Sequence, residues 1–160
     1  MKPVFARRAQ AVLVAVAAAM SLAPAAFASG PKSPAAANPS WQSECGSCHV
    51  AYPPRMLPAR SWRTIIDQLD RHFGTDASID ARTAASILSF LEAHAGGDRS
   101  DSAAPPIVRI TESARFIRKH AGIPAAAWQS DKVGNASNCA ACHVGADRGN
   151  FSDHDVRIPR

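Results

Sequence analysis

All four cysteines of the chain lie in two copies of one short motif. The copies are Cys45-Gly46-Ser47-Cys48-His49 and Cys139-Ala140-Ala141-Cys142-His143. In a C-x-x-C-H motif, both thiols add to the vinyl groups of one haem, and the adjoining histidine binds the iron as its proximal ligand. The spacing therefore predicts two covalently attached haem c groups. We expect Cys45 and Cys48 to attach the first haem and Cys139 and Cys142 the second, with His49 and His143 as the proximal ligands.

Other uses of the cysteines are weaker interpretations of the same motifs. Zinc sites built from two C-x-x-C pairs usually place the pairs roughly 12 to 20 residues apart, whereas 90 residues separate Cys48 from Cys139. A redox-active pair of the thioredoxin type needs a βαβ context, which the flanking sequence does not offer. A disulfide within C-x-x-C closes a loop too short to constrain the unfolded chain strongly. Haem attachment is therefore the leading interpretation of both motifs.

The sixth position of each iron decides between electron transfer and ligand or peroxide chemistry. Two strong protein ligands close an iron, whereas an open position admits small molecules. For the first haem we expect His72 as the distal ligand, because it lies far enough from His49 to approach the opposite face. His94 is the alternative, although its place at a predicted helix end favours a capping or solvated role. Met56 lies seven residues after His49, beyond a stiff Tyr-Pro-Pro segment, and we expect it to pack against the haem edge.

For the second haem we expect His120 as the distal ligand. It shares one face of a short predicted helix with Phe116 and Ile117, and the basic residues between them are expected to face water or an acidic partner. His154 is the alternative. It lies in a turn-rich tail, where we expect a surface residue or a neighbour of a haem propionate.

Short helices are expected to carry these histidines. Ser61 is a typical N-cap for a helix that runs through residue 73 and has His72 on its apolar face. Gly74 ends that helix, and a second helix is expected from about residues 78–80 to about residue 95. Thr111 is the expected cap of a third helix, which ends at about His120.

The first 28 residues have the pattern of a secretory signal peptide. A positive region contains Lys2, Arg7 and Arg8, an apolar region spans residues 11–20, and Ala26-Phe27-Ala28 is a typical cleavage site. An uncleaved membrane anchor is the alternative, but this apolar region is well short of the roughly 20 residues that a spanning helix needs. We therefore expect cleavage near Ala28-Ser29 and a periplasmic mature protein.

Removal of the leader nearly balances the charge of the chain. The full sequence has 18 Lys and Arg against 13 Asp and Glu, a net charge of +5. Three of those bases and no acids lie in residues 1–28, so fifteen bases and thirteen acids remain, a net charge of +2. Each haem also brings two propionates. A basic protein that binds nucleic acid is therefore not expected.

The mature chain is expected to form two haem domains. Residues 29–97 would form the N-terminal haem domain and residues 98–160 the C-terminal one, with a linker over residues 96–108 that is rich in Gly, Ser, Ala and Pro. Neither half has much apolar sequence of its own. We therefore expect each haem to supply a large part of the core around it.

Six further segments accompany the two motifs: Tyr52-Pro53-Pro54, Leu57-Pro58-Ala59-Arg60-Ser61-Trp62, His72-Phe73-Gly74, Asp76-Ala77-Ser78, Arg109-Ile110-Thr111 and Ile158-Pro159-Arg160. Together they resemble the small bacterial dihaem cytochromes c of the sphaeroides type, over nearly the whole mature chain. The resemblance implies a mainly α fold. Its N-terminal half would be similar to a class I cytochrome c, and its C-terminal half would be a short, loop-rich haem-binding unit.

The resemblance also implies that the protein carries electrons and is not an enzyme. In that family both haems are low-spin with two histidine ligands, and the distal positions correspond to His72 and His120, whereas none corresponds to His94. The implied partners are a soluble, oxygen-binding monohaem cytochrome and a membrane-bound cytochrome of the b type. We expect a monomer. A dihaem peroxidase-like enzyme with one open or labile haem, and a haem-based sensor, are the alternative functions.

Overall fold

The protein is described by a computed structural model over residues 38–98 and 103–159. The predicted leader and residues 99–102 of the predicted linker lie outside these residues. The described part contains five α-helices: α1 (Pro39–Gly46), α2 (Ala59–Ile66), α3 (Ala81–Ala93), α4 (Ala114–His120) and α5 (Ala125–Trp128). Short 3₁₀ turns lie between and after them, at Pro54–Met56, Leu69–Arg71, Ile110–Glu112, Cys139–Ala141, Ala146–Arg148 and Asp153–Asp155. Only isolated β-bridges, and no strands, occur within the described residues, which confirms the predicted mainly α fold.

The first three helices share a small apolar core. Asn38 caps α1 by accepting a hydrogen bond from the backbone N–H of Trp41 at 2.8 Å. The buried Trp41 ring then packs on Phe90 of α3, with 5.2 Å between ring centroids. The core consists of Trp41, Ala51, Leu57, Trp62, Ile87, Phe90 and Leu91, and Cys45 packs against it. The first C-x-x-C-H motif therefore begins on a helix that the core holds in place.

Helix α2 is shorter than predicted and begins earlier. It starts at Ala59 after Pro58, whose extended backbone precedes the helix, and Ser61 lies within it, fully buried, so the predicted N-cap at Ser61 is wrong. Proline fits the start of a helix because it needs no backbone hydrogen-bond partner there. The helix ends at Ile66 and does not run on to residue 73.

His72 therefore lies in a tight loop after α2. The chain turns through Leu69–Arg71, and the loop closes where the N–H of Ala77 donates to the carbonyl of Leu69 at 2.8 Å. Phe73 has a φ of 51° and Gly74 a φ of 98°, so two successive residues adopt the left-handed region. This region is ordinary for glycine and strained for phenylalanine. A continuous helix cannot run through that turn, so no helix could extend from α2 past residue 72.

Helix α3 agrees with the second predicted helix. Asp80 caps it by accepting hydrogen bonds from the backbone N–H groups of Arg82 and Thr83, both at 3.0 Å. Hydrogen bonds from Thr83, first through its side chain and then through its backbone N–H, hold the pKa of the Asp80 carboxyl below its usual value. The helix ends at Ala93, and His94 is the C-cap residue. The prediction that His94 lies at the helix end is confirmed.

After α3 the chain returns against the segment before α2. The N–H of Gly96 donates to the carbonyl of Leu57 at 2.9 Å. A Cβ atom on Gly96 would lie 2.4 Å from the backbone carbonyl oxygen of Arg55, whereas a Cβ on Gly97 would meet nothing within 4 Å. Only glycine therefore fits at position 96.

The neighbouring glycines make a matched pair of variants. We expect Gly96→Ala to lower the free energy of unfolding by roughly 1–3 kcal/mol, the cost of forcing an extra carbon into a packed site. Gly97→Ala should leave it nearly unchanged. The measurement is urea unfolding of the haem-loaded protein, followed by circular dichroism. Equal stability of the two variants would contradict the close approach seen at Gly96.

The second half of the chain is built from shorter elements. Helix α4 begins at Ala114 and is capped by Ser113, whose hydroxyl accepts from the N–H of Phe116 at 3.2 Å. The prediction that Thr111 caps this helix is wrong, because Thr111 lies in the preceding 3₁₀ turn. Among residues 103–159, only Val133 and Ala146 are buried apolar residues.

The helices of the described residues include none long and apolar enough to cross a membrane.

Candidate haem-binding sites

The first motif lies at the C-terminal end of α1. Cys45 is partly buried against the core, while Cys48 and His49 are exposed. Nδ1 of His49 lies 2.8 Å from the carbonyl oxygen of Val50. Because a carbonyl only accepts, Nδ1 carries the proton, and the lone pair is left on Nε2. The proximal imidazole is thereby oriented as a ligand.

The His72 ring faces the His49 ring. Their centroids are 6.2 Å apart and the planes differ by 23°. Burial, and secondarily the nearby His49, lower the pKa of His72, so this imidazole stays neutral and keeps a lone pair for a metal. The loop after α2 thus places His72 opposite the first motif, although the predicted helix there is not formed.

The second motif is held by the turns around it. Cys139–Ala141 forms a 3₁₀ turn, and the N–H of His143 donates to the carbonyl of Cys139 at 2.8 Å. The Phe151 ring packs beside the His143 ring at 5.3 Å between centroids. Nδ1 of His143 is buried and has no hydrogen-bond partner among the described residues. Burial, with His120 as the second cause, lowers the pKa of His143.

His120 lies opposite this histidine at the end of α4. The His120 and His143 centroids are 6.1 Å apart, with the planes at 71°. Nδ1 of His120 lies 2.8 Å from the carbonyl oxygen of Phe116, one helical turn earlier, so Nε2 is again the free nitrogen. The rings of Phe116 and Trp128 flank His120 at 4.0 and 5.8 Å. In the second pair a backbone carbonyl orients His120, which faces the motif histidine. In the first pair a backbone carbonyl orients His49, the motif histidine itself.

Both ring separations fit a metal ion between the imidazoles. An imidazole nitrogen binds a transition metal at about 2.0 Å and lies about 1.1 Å from its ring centre, so the centres of two rings on opposite sides of one ion are roughly 6.2 Å apart. The observed separations are 6.2 and 6.1 Å. Each pair therefore has the spacing that two axial ligands of one haem iron require.

Apolar side chains are exposed beside these histidines. Phe73 is 46% exposed and follows His72, Val144 is 57% exposed and follows His143, and Ile117 is 59% exposed on α4. Apolar side chains that are exposed together mark ligand-binding surfaces, whereas single exposed ones are ordinary. A flat, apolar macrocycle bound at each histidine pair would cover these side chains. Both the facing histidines and their apolar neighbours therefore fit a haem.

The cysteines do not have the properties of zinc ligands or redox thiols. All four are free in the structure. Burial raises the pKa of Cys45 to about 11 and raises the pKa values of Cys139 and Cys142, whereas reactive thiols have lowered values. The part of the chain that the structure describes also holds no group of three or more His, Cys, Asp or Glu suited to a metal ion. Attachment to haem through thioether bonds remains the use that fits them.

The alternative ligands lie elsewhere. His94 packs on Phe90 at 4.8 Å, and its Nδ1 lies 2.8 Å from the Phe90 carbonyl oxygen. His154 is exposed in the Asp153–Asp155 turn. Met56 ends the Pro54–Met56 turn. The two histidines that face the proximal ligands are His72 and His120.

Tyr52 is a functional candidate that the sequence reasoning did not single out. Its ring stacks on the His49 ring at 4.7 Å, with 20° between the planes. Burial is the main reason that the pKa of Tyr52 is raised to about 12, so its hydroxyl keeps its proton and acts as a donor. The available signal was that the one tyrosine of the chain lies three residues after the first motif.

A helical chain with two C-x-x-C-H motifs, each opposite a second histidine, has the features of a c-type cytochrome. The sequence pattern of the dihaem cytochrome c family matches residues 41–151. The chain belongs to the dihaem cytochrome c family, and it accordingly carries two covalently attached haem c groups and serves electron transfer.

Solved structures agree with this membership. The dihaem cytochrome c from Rhodobacter sphaeroides is 41% identical, with a TM-score of 0.65, and the match covers 71% of this chain and 96% of that one. The dihaem c-type cytochrome from Shewanella baltica OS155 is 43% identical, also with a TM-score of 0.65, and the match covers 75% of this chain and 91% of that one. A comparison with curated proteins found no match. These matches confirm the family membership that the sequence motifs indicated.

Proposed function

We propose that the protein is a periplasmic electron carrier in which both haems are closed by two histidines. Cys45 and Cys48 attach the first haem, and Cys139 and Cys142 attach the second. His49 and His72 are the axial ligands of the first, and His143 and His120 those of the second. The observation that carries this proposal is the spacing of the facing imidazole rings, 6.2 and 6.1 Å.

The residues of this chain hold the redox centres in fixed surroundings. The haem irons supply the one-electron couple. Val50 and Phe116 fix two of the imidazoles through their carbonyl groups, which also raises the basicity of those ligands. A closed site keeps both ligands in both oxidation states, so little rearrangement accompanies electron transfer. Two histidines also favour the ferric state compared with a histidine and a methionine, so both reduction potentials should be low for c-type haems.

We propose that the partners are a soluble, oxygen-binding monohaem cytochrome and a membrane-bound b-type cytochrome. We also propose that the carrier is a monomer and that it does not bind nucleic acid. The family resemblance supports these partners. Arg115 and Arg118 are exposed on α4, beside the second histidine pair, and would attract an acidic surface on a partner. The periplasmic location rests on the leader pattern, and detection of Met1 in the mature protein would contradict it.

A binding experiment tests the closed sites. We expect the reduced protein to show a low-spin c-type spectrum that does not change when carbon monoxide is added, because no coordination position is open. The measurement is the Soret spectrum before and after equilibration with the gas. A rapid spectral change at either haem would favour the peroxidase-like or sensor alternatives.

The same sample tests the role as a carrier. Mixing the reduced protein with an oxidised monohaem cytochrome should transfer electrons rapidly, and the rate should fall as salt is added. A basic monohaem cytochrome c serves as the mismatched control and should react more slowly at low salt than an acidic one, because Arg115 and Arg118 repel it. Failure to exchange with any monohaem cytochrome would contradict the carrier function.

A further inference from the structure

Tyr52 joins the two haem-binding motifs. It lies three residues after His49, in the first half of the chain, and its hydroxyl donates to the backbone carbonyl of Ser137 at 2.9 Å. Ser137 lies two residues before Cys139 of the second motif. One side chain thus connects the first motif to the segment that leads into the second, through a hydrogen bond between residues 85 positions apart in sequence.

The first contact of Tyr52 is with the proximal ligand of the first haem. The phenol and imidazole rings are nearly parallel, 20° apart, with 4.7 Å between centroids. Offset stacking at this distance is a favourable arrangement for two aromatic rings. Pro53 and Pro54 follow immediately and are both buried, so the backbone that carries the ring is stiff. The phenol is therefore held against His49 and is not a free surface group.

The second contact is with a segment that is itself well ordered by hydrogen bonds. The Ser137 carbonyl accepts from the Cys139 N–H as well as from Tyr52, both at 2.9 Å, which uses both of its lone pairs. The N–H of Ser137 donates to the side-chain oxygen of Asn135 at 2.9 Å, and the side chain of Asn138 donates to the Val133 carbonyl at 3.0 Å. Tyr52 thus binds a rigid turn that leads directly into the second motif.

We propose that Tyr52 is a positioning residue that fixes the second haem-attachment motif against the first and provides a stacked and hydrogen-bonded route for electrons between them. The route passes from His49 across the stacked phenol to Ser137 and Cys139. One electron leaves the site of one histidine pair, which is oxidised by one electron, and enters the other site, which is reduced by one. Tyr52 itself keeps its electrons and its phenolic proton throughout. The inference rests on the proposed electron-carrier function.

Two variants of Tyr52 separate its ring from its hydroxyl. Tyr52→Phe keeps the stack on His49 and removes the bond to Ser137, whereas Tyr52→Leu removes both. Phe151→Leu is the matched control, because it removes an aromatic ring beside the other proximal histidine, and the contact of Phe151 with His143 lies within the second half. All three are prepared as haem-loaded full chains. Haem content and the two reduction potentials are measured first, so that only variants with two haems are compared for rate.

The main measurement is the rate of electron exchange within half-reduced protein, from exchange cross-peaks of the haem methyl groups in NMR spectra. Tyr52→Leu should slow this exchange several-fold, because it removes both the ring stack on His49 and the hydrogen bond to Ser137. Tyr52→Phe should slow it by a smaller factor, and Phe151→Leu should slow it less than Tyr52→Leu does, because the Phe151 contact with His143 lies within the second half. The magnetic interaction between the two ferric irons, read by electron paramagnetic resonance, should weaken in the same order.

A wild-type rate in Tyr52→Leu would overturn the proposal, and so would an equal decrease in Phe151→Leu. If Tyr52→Leu does not take up both haems, Tyr52→Phe decides. An unchanged rate together with an unchanged magnetic interaction in that variant would then overturn it. The proposed function fails separately, if wild-type protein binds carbon monoxide or exchanges no electrons with another cytochrome.

Discussion

Replacement of His72 by alanine is expected to convert one of the two haems from low spin to high spin and to leave the other unchanged. Replacement of His120 should do the same to the other haem. Each of these rings faces a proximal histidine at the separation of two axial ligands, 6.2 Å for His72 and 6.1 Å for His120. Without the distal imidazole the iron keeps one strong protein ligand and gains an open position. Visible spectra of the ferric proteins report the change directly.

The remaining two histidines are the matched controls for this experiment. His94 packs on its own helix through Phe90, and His154 is exposed in a terminal turn. We therefore expect His94→Ala and His154→Ala to leave both haems low-spin and inert to carbon monoxide. A high-spin haem in His94→Ala together with a normal spectrum in His72→Ala would reassign the distal ligand of the first haem.

The ring geometry makes the two haems distinguishable in these variants. The planes of His49 and His72 differ by 23°, whereas those of His143 and His120 differ by 71°. The relative orientation of two axial imidazoles sets the splitting of the iron d orbitals, so the nearly parallel and nearly perpendicular pairs should give two different low-spin ferric signals. Electron paramagnetic resonance of each variant should then show the loss of one signal only. His72→Ala should remove the signal of the nearly parallel pair.

The residues of the sites are easier to predict from the sequence than the secondary structure that carries them. The C-x-x-C-H motifs are local, because the spacing of two thiols and one imidazole is fixed over five residues. The choice of His72 and His120 followed from apolar neighbours and from the family resemblance, and the structure places both opposite the proximal histidines. The elements that carry them were predicted less well. The helix predicted from Ser61 through residue 73 ends instead at Ile66, and a separate turn at Leu69–Arg71 carries the chain to His72.

The misplaced caps have a common physical cause. Ser61 and Thr111 are both good N-cap residues by type, but Ser61 is fully buried within α2, and Thr111 lies in a 3₁₀ turn with Ser113 as the real cap. Residue type gives a preference for capping, whereas the packing of neighbouring elements decides which candidate is used. The Tyr52 contact with Ser137 is even harder to predict from the sequence, because no local pattern links residues that are 85 positions apart.

The two halves of the chain differ in how much core they have without haem. The first half buries Trp41, Leu57, Trp62, Ile87 and Leu91 together. In residues 103–159 the buried apolar side chains are Val133 and Ala146. One buried valine contributes roughly 1.5–3 kcal/mol, and this cannot offset the loss of conformational entropy of a segment of that length. The order of the second half should therefore depend on its haem.

A double replacement of the second thiol pair tests this dependence. In Cys139→Ser with Cys142→Ser, the number of covalently bound haems should fall from two to one, and residues 114–159 should lose protection from hydrogen exchange and become sensitive to protease. The first half should keep its low-spin spectrum. Intact mass gives the haem count, and exchange followed by peptide mass spectrometry gives the local order.

The corresponding replacement of the first pair is the control. Cys45→Ser with Cys48→Ser should also leave one haem, but the apolar core around Ile87 should keep helix α3 more protected from exchange than α4 is in the other variant. The asymmetry follows because α3 packs through Phe90 and Leu91 into that core, whereas α4 holds Phe116 and His120 beside Trp128 and His143, outside any such core. Equal loss of order in both variants would mean that the two halves fold only together, and the Tyr52 contact would then be the first link to examine.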